Sequence, residues 1–400
     1  VSITRYLEKH GKAATLPVSR LFRYAVVIPA MAESESLPHT LRSLSANSAL
    51  MLEDTLTLVV VNSKPDAPEA IRADNETVVK LLLDNSWGLP NLHYLNMTTD
   101  AGVGGARKAG MDTALQYLDH SCNPLILCLD ADTLVEPNYL KAVAQLRRQP
   151  AAIVKFRHQL PSDPVLRRAI MEYELFMRYY VLGLHWAGSP YAFHSLGSAI
   201  ICRAADYVRC GGMRERNGGE DFYFLQSLRK LGPVGYIGDT TIYPAGRLSD
   251  RVDFGTGPRL RKLMNGEKQD FYHFGIFIEL KKMIDLVAAG PGLELPETLK
   301  QAVRPEAWAF LEEQNFAVAW EKIFRNTPRT TEALQRAFHT WLDGFRTLKL
   351  AHHLERCVPM LGRIDYRQAA ERLFEYYGKR GVDSFGLENI LEEFRRLDDR

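Results

Sequence analysis

The sequence predicts an α/β protein with a mostly parallel, doubly wound mixed sheet flanked by helices and a helical C-terminal region. Two observations carry this. Residues 24–150 alternate short β-branched apolar runs with helical periods, the pattern of strands joined by crossover helices. Beyond about residue 262 the Gly- and Pro-rich pattern gives way to amphipathic periods such as "FGIFIELKKMIDLV" and "ILEEFRRL".

Taken in order, "YAVVIP" (24–29), "LTLVVV" (56–61), "NLHYLN" (91–96) and "LILCLD" (125–130) read as strands. Leu37, Leu41 and Leu44, then Ala109, Ala114, Leu115 and Leu118, mark helices between them. Residues 164–186 read as one long helix, whose Tyr173, Phe176, Tyr179, Tyr180 and Trp186 are assigned to core packing rather than to a sugar platform. A strand follows in "GSAIIC" (197–202), then a Gly-rich turn and a helix in "FYFLQSLRKLG". The expected division is a helical lead-in over 1–22, a sheet domain over 23–262 and a helical region over 263–400.

Composition narrows the class. Fifty basic residues against 48 acidic ones give a net charge of +2, so no general basic field exists to hold nucleic acid. The five cysteines, Cys122, Cys128, Cys202, Cys210 and Cys357, form no CxxC pair or Cys/His cluster, which argues against zinc and disulfides and for a reducing compartment. No signal-peptide core and no run of 18 apolar residues occurs, so a soluble cytoplasmic protein is expected. The mixed charges of the helical tail leave peripheral membrane contact, dimerisation or acceptor binding open.

Chemistry enters at "LILCLDADTLVEP". Two carboxylates at the mouth of a buried strand, Asp130 and Asp132, repel each other unless a cation intervenes. Sheets of this type bind ligands past the carboxyl ends of their strands, so a divalent metal site competes with a solvated turn. In "AVVIPAMAES" the strand ends at Pro29 and Glu33 follows, either as a helix-start acid or as a ligand-reading acid. In "DAGVGGARKAG", Gly102, Gly104 and Gly105 precede a helix carrying Arg107 and Lys108, an arrangement for a phosphate or a plain loop. In "NGGEDFYF", Glu220 and Asp221 open a helix, as dipole-complementing acids or as a general base. Arg247, Asp250 and Arg251 lie near a "GTG" turn in "TIYPAGRLSDRVDFGTG". They suit a loop closing guanidinium forks on a diphosphate, or a salt-bridged turn. Together the parts describe a nucleotide diphosphate neutralised by Mg²⁺ or Mn²⁺ on Asp132, with Asp130.

These stretches, in this order from Ala25 to Gly232, resemble the family-2 glycosyltransferases of the GT-A fold. "VIPAMAE" resembles the family's first strand and nucleoside-contacting acid, at Pro29 and Glu33. "GVGGARKAG" is similar to its GxxxARNxG segment, which puts Gly104 and Arg107 at the donor. "LDAD" resembles its metal-binding DxD, and "GGEDFYFLQSLRKLG" its base-carrying segment, which makes Asp221 the base with Glu220 in support. The resemblance implies a non-processive hexosyltransferase. It would move a sugar with inversion from a nucleotide-sugar donor to a hydroxyl acceptor: a saccharide, a lipid-linked glycan or a small molecule. Donor contacts would be Pro29, Glu33, Asn62, Gly104, Arg107, Asp130, Arg247 and Arg251, with Mn²⁺ or Mg²⁺ on Asp132 and Asp130.

Three departures stand out. Asn62 and Ser63 replace the acid that often reads uracil, the QxxRW motif of processive synthases is missing, and Arg247, Asp250 and Arg251 stand where relatives place a metal-binding His. The rivals are a haloacid-dehalogenase-type phosphatase or phosphotransferase, a nucleotidyltransferase and a non-catalytic sugar-nucleotide scaffold. The first lacks its usual Thr or Val, with Leu134 in that place, and its motif normally opens the domain. In the second, the Gly-rich turn follows the first strand rather than the third.

Overall fold

An apolar run with no polar alternation has no face to give to water, and two interior strands obey this. β1 (Tyr24–Ala30) is buried along its whole length and β2 (Thr55–Ser63) at all but its last residue. The computed structural model describes residues 2–146, 148–216, 218–248, 256–379 and 385–399. Six further strands are β3 (Leu92–Thr98), β4 (Leu125–Cys128), β5 (Leu134–Val135), β6 (Ala151–Phe156), β7 (Ile200–Arg203) and β8 (Val234–Tyr243). They form one mixed sheet in the order β3-β2-β1-β4-β7-β6-β8-β5. Pairing is parallel from β3 through β4 and between β6 and β8; β7 runs antiparallel to both β4 and β6, and β5 to β8.

β1 extends one residue past the expected end at Pro29. The Leu129 N–H donates to the Val27 carbonyl, so alternate residues of β1 face β4 and Pro29 falls on that side. The β1–β4 pairing stops at Val27 and Cys128, so the N–H that proline lacks has no ladder partner to disappoint. The helix expected after the Gly-rich turn begins inside it and spans Gly102–Leu115. Gly110 of that helix lies against the sheet, where a Cβ would meet Val27 Cγ1 at 2.5 Å and Val60 Cγ2 at 2.8 Å.

The chain divides into two compact units, Val1–Ile170 with Ser195–Met264, and Met171–His194 with Asn265–Arg400. In the first, the N-terminal helix Ile3–His10 is tied down by a buried polar cluster centred on Asp112. Asp112 Oδ1 accepts from Tyr6 Oη at 3.0 Å and Tyr207 Oη at 2.8 Å; Oδ2 accepts from Lys108 Nζ at 2.8 Å and the Lys12 N–H at 2.9 Å. Four donors on one carboxylate leave the buried Lys108 fully compensated.

The second unit is helical, from Gly275–Ala288 to Leu387–Asp398, together with residues 171–186 of the long helix Pro164–Trp186. Of the aromatic residues of that helix Tyr179 is core and meets the rings of Phe271 and Phe277, whereas Tyr173, Phe176, Tyr180 and Trp186 are half-buried, Trp186 against Phe274 and Tyr376. Buried ion pairs hold the last helix, with Arg395 bidentate on Glu174 at 2.8 and 3.0 Å and Arg178 on Asp398. His194 Nε2 also lies 2.7 Å from Asp398. Among the described residues no helix is long and apolar enough to cross a membrane.

Replacing Asp112 by Ala strands the Lys108 ammonium, and breaking a buried pair in this way costs about 3–5 kcal/mol. Urea unfolding of Asp112→Ala should show a loss of that size; a loss below about 1 kcal/mol would mean that the cluster does not anchor the N-terminal helix.

Candidate active site

β4 ends at Cys128, and Asp130 and Asp132 follow in a turn just beyond its carboxyl end. Other elements fix the backbone of that turn. Thr40 Oγ1 donates to the Ala131 carbonyl at 2.9 Å, Gln159 Nε2 to the Asp132 carbonyl at 3.0 Å, and the Thr133 N–H to the Asp130 carbonyl at 3.1 Å. A turn pinned at three successive carbonyls points its two carboxylates in set directions.

Arg107 projects from the helix Gly102–Leu115 and is 4% exposed. One arm of its guanidinium binds Asp130 and the other binds Glu220, itself 3% exposed. Burial alone would lower the Arg107 pKa; the two carboxylates outweigh it and raise it, so the group stays charged. Gly197 makes the arrangement sterically feasible. A Cβ at that position would overlap the guanidinium carbon and both terminal nitrogens, which the two ion pairs hold in place.

Glu220 and Asp221 open the helix Glu220–Arg229, whose cap Gly219 has φ +69. Burial, then the neighbouring Glu220, pushes the Asp221 carboxyl up to about 7 against the pull of Arg107 and of the Phe222 N–H, which donates to Oδ1 at 2.7 Å. The adjacent acids are thereby made unlike, with Glu220 locked to a cation and Asp221 poised to titrate near neutrality.

A second arginine organises the other half. Arg247 Nε donates to Asp132 Oδ2 at 2.7 Å, and its Nη2 reaches both oxygens of Glu33 at 2.6 and 2.7 Å. Burial would lower its pKa as well, but Asp132 and Glu33 raise it. Glu33 is positioned by a bend at Ala32, a non-glycine residue at φ +53 whose N–H donates to Asn75 Oδ1 at 2.9 Å. Left-handed alanine is strained, and such strain gathers at functional sites. Asn75 Nδ2 donates to the Asn62 carbonyl and Asn62 Nδ2 to the Ala30 carbonyl, so Asn62 stitches the ends of β1 and β2 together.

Of the residues expected at the site, the structure thus gathers Arg107, Asp130 and Glu220 into one group, beside Asp221, and Glu33, Asp132 and Arg247 into another. Pro29 is buried within β1. Gly104 is buried beneath the chain at Arg214–Arg216, where a Cβ would meet the Arg216 carbonyl oxygen at 2.6 Å. Asp250 and Arg251 lie outside the described residues. Sequence reasoning passed over Thr40, Asn75 and Gln159, and read Gly197 as the start of a strand that begins only at Ile200. Asn75 alone left a signal, a polar residue on the stripe it shares with the buried Val78 and Leu82.

No group of three or more His, Cys, Asp or Glu side chains suited to a metal occurs among the described residues. The donor set still fits a hard divalent ion, which needs one or two carboxylates and completes its shell with substrate phosphates and water. Asp132 and Glu33 already converge on one positive group, so this is a place that favours a cation.

Residues 25–208 match the family model described as Glycosyl transferase family 2. No curated protein matches the chain. Among solved structures, TarS 1–349 of S. aureus shares 13% identity, covering 76% of this chain and 91% of its own, with a TM-score of 0.41. The same protein in complex with UDP-GlcNAc gives 14% identity, 84% and 92% coverage and a TM-score of 0.39. The mannosyltransferase PcManGT of Pyrobaculum calidifontis, in complex with GDP-Man and Mn²⁺, gives 15%, 99%, 90% and 0.38.

Gly197→Ala should force Arg107 away from Asp130 and Glu220 and destabilise the protein by about 1–3 kcal/mol, the usual toll of overpacking. A crystal structure of the variant with Arg107 still bridging both carboxylates would contradict the close fit.

Proposed function

Because residues 25–208 match the glycosyl transferase family 2 model, we propose that the protein moves a hexosyl group from a nucleoside diphosphate sugar to a hydroxyl acceptor. The transfer is a single displacement with inversion, one sugar at a time. The observation that carries the reading is Asp221. It is a carboxylate pushed up to about 7, one residue from a glutamate that an arginine ties to the DxD turn. A general base works best with a pKa near the working pH.

Asp221 takes the proton of the acceptor hydroxyl as that oxygen bonds to the anomeric carbon, and the bond to the diphosphate oxygen breaks. Asp132, with Asp130, would hold Mn²⁺ or Mg²⁺, and the ion would neutralise the departing diphosphate. Arg107 takes the role of a positioning residue, holding Glu220 and Asp130 at fixed separation. Glu33, at the end of β1, takes the nucleoside, and Arg247 supplies a fork for phosphate oxygens. Pro29, Asn62 and Gly104 shape the donor side through the backbone. A phosphatase is the weaker reading, since the guanidinium on Asp130 Oδ1 draws charge from the carboxylate that would have to act as nucleophile.

The rate should follow the charge on Asp221. Below pH 7 the carboxyl is protonated and cannot accept; above it the base is available, so kcat/KM should climb through about pH 7 and level off. Glu220→Gln removes a negative neighbour and should move the rising limb to lower pH. Asp221→Asn should lower kcat by about 10²–10⁴-fold; a variant that keeps wild-type kcat would remove Asp221 from the mechanism.

Donor binding is tested by thermal shift with UDP, GDP and their sugars, with Mn²⁺, Mg²⁺ or EDTA. A ligand at about 100 times its Kd adds about 2.7 kcal/mol, and this gain should require metal and vanish in Asp132→Ala. No shift with any nucleotide would overturn the function proposed.

A further inference from the structure

Arg247 holds Asp132 and Glu33 with three hydrogen bonds of 2.6–2.7 Å. In the function proposed above, these two carboxylates receive the metal and the nucleoside. One guanidinium therefore sits on both ligands' anchoring groups. We infer, on that reading, that Arg247 is a resident counter-ion of the donor-free site, exchanged for the divalent cation and nucleotide when they bind.

Several features support an exchange. Glu33 is 7% and Asp132 23% exposed, so the two acids need positive charge near them at all times. Arginine cannot give up its proton in a protein, so the carboxylates are released only if the side chain swings away. Its mount is firm while its arm is long. The chain after β8 is held by the Gln159 N–H on the Pro244 carbonyl at 2.9 Å. At Gly246 it runs so close to residue 159 that a Cβ would lie 2.6 Å from the Gln159 carbonyl oxygen. With the backbone fixed, the side chain can pivot from carboxylates to a diphosphate as one cation replaces another. At 34% exposure the Arg247 side chain has room to do so.

The exchange makes metal and nucleotide binding cooperative, because whichever arrives first frees the anchor of the other. In donor-free wild-type protein, Mn²⁺ has to compete with the guanidinium and should bind weakly. Mn²⁺ affinity is measured by the loss of the free-ion electron paramagnetic resonance signal, without nucleotide and with saturating UDP or GDP.

Arg247→Gln, shown to be folded by circular dichroism, should bind Mn²⁺ at least tenfold more tightly than wild type without nucleotide. The tightening that nucleotide produces in wild type should be largely lost. Arg247→Lys, whose ammonium cannot fork across both acids, should fall between, and it serves as the test if Arg247→Gln does not fold. Wild type that binds nucleotide with Mn²⁺, paired with variants whose nucleotide-free Mn²⁺ affinity is no higher, would overturn the exchange and leave the transferase reading intact. Wild type that binds no nucleotide with Mn²⁺ would overturn both.

Discussion

A buried guanidinium cannot be neutralised, so Arg107 must be met by negative charge, and the site is organised around that demand. An uncompensated buried ion costs several kcal/mol, which makes Asp130 and Glu220 obligatory partners. The pairing joins a turn after β4 to the start of a helix about ninety residues later, fixing the acid of that turn relative to the acid that opens the helix. Charge compensation and the geometry of the candidate site rest on the same contacts. The neighbouring Lys108, one residue on and about 100° around the helix, makes a separate demand that Asp112 meets.

The sheet explains why these groups meet at one end. β1, β2 and β4 are parallel; β1 and β4 deliver Glu33 and Asp130 beyond their carboxyl ends, and Asn62 lies within the last two residues of β2. β7 then reverses direction beside β4, and the segment entering it brings Gly197 against Arg107. In such sheets the crevice opens where the strand order reverses, here between β1 and β4.

Much of this was legible in the sequence. The unbroken apolar runs marked β1, β2 and β4, and the helix over 164–186 was read with the bounds observed. The charged motifs were found because carboxylates at strand ends and helix starts are chemically conspicuous. Three things were not legible. β6, "AAIVKF", is short with a lysine inside it, and β8 carries glycines and an aspartate, so neither stands out from loops. β5 has two residues and no period at all. The pairing of arginines with acids is fixed only when the sheet brings distant segments together. Arg247 looked like a phosphate fork because its carboxylate partners lie 115 and 214 positions earlier in the chain. Thr40 and Gln159 act through single hydrogen bonds to a turn, and no local pattern announces such a role.

The Asp112 cluster bears on how the molecule is born. Tyr6 shares its carboxylate with Tyr207, so the helix Ile3–His10 has no complete berth until the chain through residue 207 has been made. At about 5–20 residues per second of synthesis, that is a wait on the order of 10–40 s. Through that interval the segment Ile3–His10 lacks the contacts that hold it in the finished fold, and eight residues are too few to stay helical alone. Only with the tyrosine after β7 does it become part of the fold.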